Sequence, residues 1–163
     1  MKDTPRLSGG YQSSGISTLL AGEQDKQLYL DQAMHCTQKA LSRDNKSDRA
    51  KLLQAQIFII NHDYLKADSL LNQVKEKTAS FYNDMGVLKF LNDDLIAAAE
   101  YFKSSINEDK KFKEAYYNLA LAEYQLGNRE ACRIHLTVYL SLENDAGWRN
   151  AATHMIKMTE LSE

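Results

Sequence analysis

The sequence has very few residues that interrupt helices. Pro5 is its only proline, and five of its seven glycines lie at or before Gly86. Proline breaks the helical hydrogen-bond ladder and glycine weakens it, so the chain after residue 6 can form long helices with little interruption. The scarcity of both residues predicts a mostly helical protein.

Cysteine and long apolar runs are also scarce. The two cysteines, Cys36 and Cys132, are too few for a disulfide framework. No run approaches the roughly 18 apolar residues of a membrane-spanning helix, and residues 1–10 lack the apolar stretch of a signal peptide. We therefore expect no membrane span. The location stays open, because the sequence as given fits the cytoplasm, whereas removal of a signal segment would fit the periplasm or a lipid anchor.

Charge is nearly balanced along the chain. The formal net charge is −2 over 163 residues, and basic and acidic residues are mixed. A nucleic-acid-binding protein usually carries a basic stripe or patch, so we expect no nucleic-acid partner. The length suits one domain or one short helical array.

One pattern occurs twice at a spacing of 34 residues. A fixed period of this length predicts stacked pairs of helices. The aligned pairs are Tyr82 with Tyr116, Met85 with Leu119, Gly86 with Ala120, Phe90 with Tyr124, Ala98 with Cys132, and Phe102 with Leu136.

The same periodicity divides the rest of the chain. Residues 1–13 are predicted to be a flexible polar tail, and residues 14–163 a single helical domain. Within that domain we expect repeats at about 14–47, 48–78, 79–112 and 113–146, and a capping helix at about 146–160. Turn residues at 61–63, 92–94 and 127–128 separate the two helices of the last three repeats.

At these positions the chain resembles the tetratricopeptide repeat (TPR) family. The family alternates small and bulky residues so that paired helices pack closely. The resemblance is carried by Ala55, Phe58, Ala67, Leu71 and Val74 in the second repeat, by Tyr82, Met85, Gly86, Phe90, Ala98, Phe102 and Ser105 in the third, and by Tyr116, Leu119, Ala120, Tyr124, Cys132, Leu136 and Tyr139 in the fourth. It implies an all-α, right-handed α-solenoid of antiparallel helix pairs, with about three to four TPR-like repeats and a C-terminal capping helix.

The resemblance also implies a binding surface. In TPR proteins the first helix of each repeat lines a concave groove that holds a protein or peptide partner. Carried over to this chain, the groove residues are Leu53, Gln56, Ile60, Asn83, Asp84, Val87, Tyr117, Asn118, Leu121, Tyr124 and Gln125. TPR domains that grip the acidic C-terminal tails of chaperones use basic residues there. The matching positions of this chain hold Leu52, Gln56, Asp84, Glu114 and Asn118. Only Asn118 has the right polarity, so a chaperone-type tail is not expected.

The run from Ile57 to Ile60 is apolar on every side of its helix, which is typical of a buried helix. Two interpretations stay open. The segment with Ile16, Leu19 and Leu20 could fold over the run, or a partner or second protomer could cover it. Self-association is therefore an alternative way to fill the groove.

The sequence offers little support for chemistry. Cys132 and His135 are three residues apart on one helix, but no second pair has metal-ligand spacing, and Cys132 occupies a small, buried position of its repeat. We expect no metal, no cofactor and no catalytic residue. The predicted function is a non-catalytic scaffold or adaptor that binds a peptide or helix in the groove, for example in a bacterial secretion or pilus assembly. The alternative is a regulatory or small-molecule-binding helical-repeat domain.

Overall fold

The computed structural model describes residues 23–160, with side chains from Gln27 onward, and this part of the chain forms eight α-helices and no strand. The helices are α1 (Glu23–Arg43), α2 (Asp48–Ile60), α3 (Tyr64–Leu71), α4 (Ala79–Leu91), α5 (Leu95–Glu108), α6 (Lys113–Gln125), α7 (Arg129–Leu142) and α8 (Ala146–Glu160). The predicted all-α fold is confirmed.

The helices stack as pairs. Each helix packs on the one before it, and α2 also contacts α4, which in turn contacts α6. We call α2, α4 and α6 the A helices, since each is the first member of a pair. Short turns make the members of each pair antiparallel, and the stacked pairs form an α-solenoid. Helix α1 packs on α2 at one end, and α8 packs on α7 at the other.

Side-chain caps determine where several helices begin. Ser47 accepts a hydrogen bond from the backbone N–H of Ala50 at the start of α2, and Thr78 does the same for Phe81 at the start of α4. Asp63 and Asp94 cap α3 and α5 in the same way. Each cap satisfies a backbone donor that has no partner inside the helix.

The turn inside each pair uses the same backbone conformation. His62, Asp93 and Gly127 have φ angles of 61°, 62° and 83°. This left-handed region favours glycine, because a Cβ atom crowds the following carbonyl there. Two of the three repeats therefore form this turn with a residue other than glycine.

Close contact between paired helices explains the small residues of the repeat. A Cβ atom added to Gly86 on α4 would lie 2.5 Å from Cε1 of Phe102 on α5. Glycine therefore lets the two helices approach until the Phe102 ring rests on the α4 backbone. Cys132 on α7 occupies the small position that Ala98 holds on α5, and both residues are completely buried.

The apolar run of α2 is enclosed on several sides. Ile57 and Ile59 are buried, while Phe58 and Ile60 are half-buried. Helices α1, α3 and α4 all pack on α2 and so contribute to its cover. The segment with Ile16, Leu19 and Leu20, which was expected to cover this run, lies outside the described residues.

A buried carboxylate joins the last A helix to the helices that follow. Glu143 lies 2.9 Å from the Lys113 ammonium of α6 and accepts a hydrogen bond from the Tyr139 hydroxyl of α7. It also accepts one from the backbone N–H of Asp145, just before α8. Burial raises the pKa of Glu143, but these hydrogen bonds outweigh it and hold the pKa below its ordinary value.

Candidate binding groove

The predicted groove residues fall into two groups in the structure. Seven of them are buried between the helices, with at most 8% of each residue exposed: Gln56, Asn83, Asp84, Val87, Tyr117, Asn118 and Leu121. Of the other four, Leu53, Ile60 and Tyr124 are half-buried and Gln125 is exposed. All eleven lie on A helices, and their role in holding a partner stays a prediction.

Four of the buried residues form a polar ladder across the three A helices. Gln56 on α2 donates a hydrogen bond of 2.9 Å from Nε2 to Oδ2 of Asp84 on α4. Asn118 on α6 donates one of 2.9 Å from Nδ2 to Oδ1 of Asn83, also on α4. Sequence reasoning placed these residues on one surface but did not predict their pairing. The ladder is Gln56, Asn83, Asp84 and Asn118.

The charge of the ladder depends on pH. Burial of the Asp84 carboxyl raises its pKa to about 7, against the opposing effect of the neighbouring Gln56 and Asn83 amides. Near neutral pH the protonated and ionised forms of Asp84 are therefore both populated. No lysine or arginine side chain forms an ion pair with it among residues 27–160.

Two polar atoms of the ladder are buried without a hydrogen-bond partner in the described part of the chain. They are the acceptor Oε1 of Gln56 and the donor Nδ2 of Asn83. An unpaired buried polar atom costs roughly 1–3 kcal/mol.

An apolar stripe stays accessible at the C-terminal ends of the A helices. Leu91 at the end of α4 is 38% exposed. Ile60 on α2, Phe90 on α4 and Tyr124 on α6 are half-buried. Phe90 packs against both apolar cores of the structure, so this part of the stripe is anchored in the fold. We define the apolar stripe as Ile60, Phe90, Leu91 and Tyr124.

The candidate chemical residues are positioned as packing residues. Burial raises the pKa of the Cys132 thiol to about 11, so the thiol is protonated at neutral pH and is a poor metal ligand or nucleophile. His135 is half-buried, and burial lowers its pKa. Within residues 27–160, no group of three or more His, Cys, Asp or Glu side chains is placed to hold a metal ion.

The helices that carry the stripe are not membrane spans. Each helix between residues 23 and 160 is too short or too polar to cross a bilayer.

No known protein-family profile matches the chain. Comparison with individual protein sequences does identify a relative. The chain is 30% identical over 102 residues to the tetratricopeptide repeat protein 30 homolog of Drosophila melanogaster, a match that covers 63% of this chain and 16% of that protein. The chain thus spans about a sixth of the length of the curated relative that it matches.

Solved structures show the same fold. One crystal structure of MamA superposes with a TM-score of 0.64 at 17% identity, covering 91% of this chain and 81% of its own. A second crystal structure of MamA superposes with a TM-score of 0.60 at 18% identity, covering 86% of this chain and 94% of its own. YrrB, described as a TPR protein with an unusual peptide-binding site, superposes with a TM-score of 0.61 at 12% identity, covering 85% of this chain and 71% of its own.

The predicted resemblance to the TPR family is confirmed by these matches, and the chain has the TPR α-solenoid fold. Folds of this type serve in general as scaffolds for protein–protein interaction, and the TPR proteins that share it are generally non-catalytic.

Proposed function

We propose that the protein is a non-catalytic adaptor that holds a peptide or helix of a partner protein across its A helices. The observation that carries this proposal is the apolar stripe. Successive A helices each contribute at least one accessible apolar or aromatic side chain to it. Aromatic residues supply large contact area at small entropic cost, which suits a binding surface.

The spacing of the stripe limits the shape of its ligand. Neighbouring packed helices lie about 8–10 Å apart, so the step from Ile60 through Leu91 to Tyr124 covers about 20 Å. An extended segment of about six residues, or a helix of about 13, spans this distance. Either ligand could place one apolar side chain against each A helix.

The polar ladder lies beneath the proposed site, because Asn83 and Asn118 are completely buried and only 8% of Gln56 is exposed. Its hydrogen bonds join α2 to α4 and α4 to α6, so it supports the surface on which a ligand would lie.

The charge of this face argues for a ligand that is not acidic. Asp84 is part of the ladder, and Glu114 is buried at the start of α6. Burial raises the pKa of both carboxyls. These carboxyls offer no positive charge in either protonation state, so an acidic C-terminal tail of the chaperone type would find no basic side chain in the ladder.

Affinity capture with matched variants tests the proposal. Leu91→Glu places a charge in the stripe, while Ile134→Glu places the same charge on α7, where Ile134 is 53% exposed. We expect the first variant to lose the captured partner and the second to keep it, with equal helicity by circular dichroism. Equal capture by both variants would contradict the proposed site.

The same experiment addresses the alternative function. If the full chain captures no protein but is stabilised against heat by a metabolite, the regulatory or small-molecule-binding domain is favoured instead. The predicted role in a bacterial secretion or pilus assembly stays a prediction, and the identity of the captured partner tests it.

A further inference from the structure

We propose that Asp84 and Gln56 form a proton-dependent latch between α2 and α4, in which a protonated Asp84 carboxyl donates a hydrogen bond to Oε1 of Gln56. The latch would regulate the proposed site, so its effect on partner binding rests on the proposed function. Loss of the proton opens the latch and weakens the binding of a partner to the apolar stripe.

One half of this contact is already present in the structure. Nε2 of Gln56 donates a hydrogen bond of 2.9 Å to Oδ2 of Asp84, which is 2% exposed. Oε1 belongs to the same amide group and is buried without a hydrogen-bond partner among the described residues. An ionised carboxylate only accepts hydrogen bonds, whereas a protonated carboxyl also donates one. The proton of a neutral Asp84 is therefore the donor that Oε1 lacks, and it completes a reciprocal pair of hydrogen bonds between carboxyl and amide.

The surroundings of Asp84 favour its neutral form. Burial raises the pKa of its carboxyl, and only the Gln56 and Asn83 amides oppose this effect. The titratable groups of α4 and of the four helices that pack on it make no contribution. They are Tyr82 and Lys89 on α4, Asp48, Arg49 and Lys51 on α2, Tyr64, Lys66 and Asp68 on α3, Glu100, Tyr101, Lys103 and Glu108 on α5, and Lys113, Glu114, Tyr116, Tyr117, Glu123 and Tyr124 on α6. An ionised Asp84 therefore has no countercharge among these groups.

The next repeat has a neutral residue at the same position. Asn118 on α6 lies 34 residues after Asp84 and is its equivalent in the repeat. It joins α6 to α4 through its hydrogen bond to Asn83, and neither amide ionises near neutral pH. The contact between α2 and α4 should therefore respond to pH, whereas the contact between α4 and α6 should not.

The latch lies on the helix faces that carry the apolar stripe. Ile60 follows Gln56 by four residues on α2, and Leu91 follows Asp84 by seven residues on α4. These spacings place both members of each pair on one side of their helix. A movement of α2 relative to α4 at the latch therefore changes the position of Ile60 relative to Leu91. A ligand that contacts both side chains binds best in one of the two states, and we assign that state to the closed latch.

Nuclear magnetic resonance of the full chain tests the hydrogen bond. The carboxyl ¹³C resonance of Asp84 and the side-chain amide resonances of Gln56 should titrate together with a midpoint at about pH 7, because one proton contacts both groups. In Asp84→Asn, which carries the neutral residue of the next repeat, the Gln56 resonances should stay constant. A Gln56 amide that does not respond while Asp84 titrates overturns the latch, and so does an Asp84 midpoint near the unfolded value of about 3.9.

Spin labels measure the movement of the helices. The exposed residues Asn61, Asn92 and Leu126 directly follow α2, α4 and α6. After Cys36→Ser removes the exposed cysteine, nitroxides on Asn61→Cys with Asn92→Cys report the first contact, and nitroxides on Asn92→Cys with Leu126→Cys report the second. We expect the mean separation of the first pair to increase by about 1–2 Å from about pH 6 to about pH 8.5, and that of the second pair to stay constant.

Two further variants assign this movement to Asp84. Asp84→Asn should abolish the change in the first pair, whereas Glu114→Gln, which neutralises the buried carboxyl at the start of α6, should keep it. A change that persists in Asp84→Asn, or that disappears in Glu114→Gln, overturns the proposal. Equal changes in both label pairs also overturn it, because the movement would then not depend on the latch.

Partner capture separates this inference from the proposed function. We expect the unmodified chain to bind a captured partner roughly tenfold more weakly at about pH 8.5 than at about pH 6, and Asp84→Asn to bind it equally at both. A pH dependence that Asp84→Asn shares overturns the regulation and leaves the adaptor function standing. If the resonances and label distances respond as expected but no protein is captured at either pH, the latch stands and the adaptor function does not.

Discussion

Asn118 on α6 donates a hydrogen bond of 2.9 Å to the side-chain oxygen of Asn83 on α4, and both residues are completely buried. The two amides lie 35 positions apart in the sequence, close to one repeat. A shift of one A helix along the other would leave a buried amide without this partner. The pair therefore helps to fix the register between neighbouring repeats.

Removal of this hydrogen bond should destabilise the fold. Asn118→Ala leaves the Asn83 oxygen buried without its donor, so we expect the free energy of unfolding to fall by roughly 1–3 kcal/mol. Urea denaturation measures the change. The exposed Asn150→Ala on α8 is the matched control and should change stability by less than about 0.5 kcal/mol. In a double-mutant cycle with Asn83→Ala, the two losses should not add. Additive losses would show that the pair is not coupled.

Gly86→Ala should destabilise the contact between α4 and α5. The new Cβ would overlap the Phe102 ring, which is completely buried and has little room to move. We expect the free energy of unfolding to fall by about 1–3 kcal/mol. The better helix propensity of alanine should offset part of this loss. Thermal unfolding measures it. Phe102→Leu combined with Gly86→Ala relieves the overlap, so the double variant should lose less than the two single losses together. Full additivity would argue against a steric cause.

Asp84 should make stability decrease as the pH rises. Burial holds its folded-state pKa at about 7, above the value of about 3.9 in an unfolded chain. The folded state therefore binds the proton more tightly. Its contribution to stability is complete below about pH 4 and is lost as the pH rises through about 7.

The variant Asp84→Asn isolates this effect, because it keeps an acceptor for Gln56 but cannot ionise. We expect it to be more stable than the unmodified chain at pH 8 by roughly 2–4 kcal/mol, and the difference to shrink towards pH 4. Urea denaturation across this pH range measures both. Asp68→Asn, at an exposed position of α3, is the control. A pH-independent difference would mean that Asp84 does not titrate in this range.

The equivalent turn positions should respond in opposite directions to substitution. Gly127 has a φ of +83°, and a Cβ atom added there would meet open space, so the penalty in Gly127→Ala is backbone strain alone. We expect a loss of about 1 kcal/mol. Asp93→Gly removes the same kind of strain and should stabilise the fold by up to about 1 kcal/mol. Denaturant titration of both variants measures the two changes in the free energy of unfolding. Two changes of the same sign would contradict the shared left-handed turn conformation.

The fold could be predicted because its signals are local and repeated. Tyr82 and Tyr116 mark the same place in two copies, and Gly86 and Ala120 mark the positions where a helix needs a close neighbour. Helix caps such as Ser47 and Thr78 are also encoded within a few residues. Local patterns of this kind act through nearest neighbours, which is sufficient to specify a stacked helical array.

The site could be predicted only in part. Periodicity correctly placed Val87 and Tyr124 on A helices, but it did not show that Val87 is buried and Tyr124 half-buried. That difference depends on how closely the A helices of different repeats pack together. The sequence of a single repeat does not contain this information. The pairing of Asn83 with Asn118 has the same origin, since it joins side chains from different repeats.

The sequence by itself determined the helical class, the period of the repeat and the resemblance to the TPR family, because each follows from residue types at fixed local spacing. Only the tertiary structure decided which groove residues are packed and which stay accessible. It also raised the pKa of Asp84, because that depends on burial between helices that are distant in sequence. Helix formation is a local property, whereas exposure and desolvation belong to the assembled array.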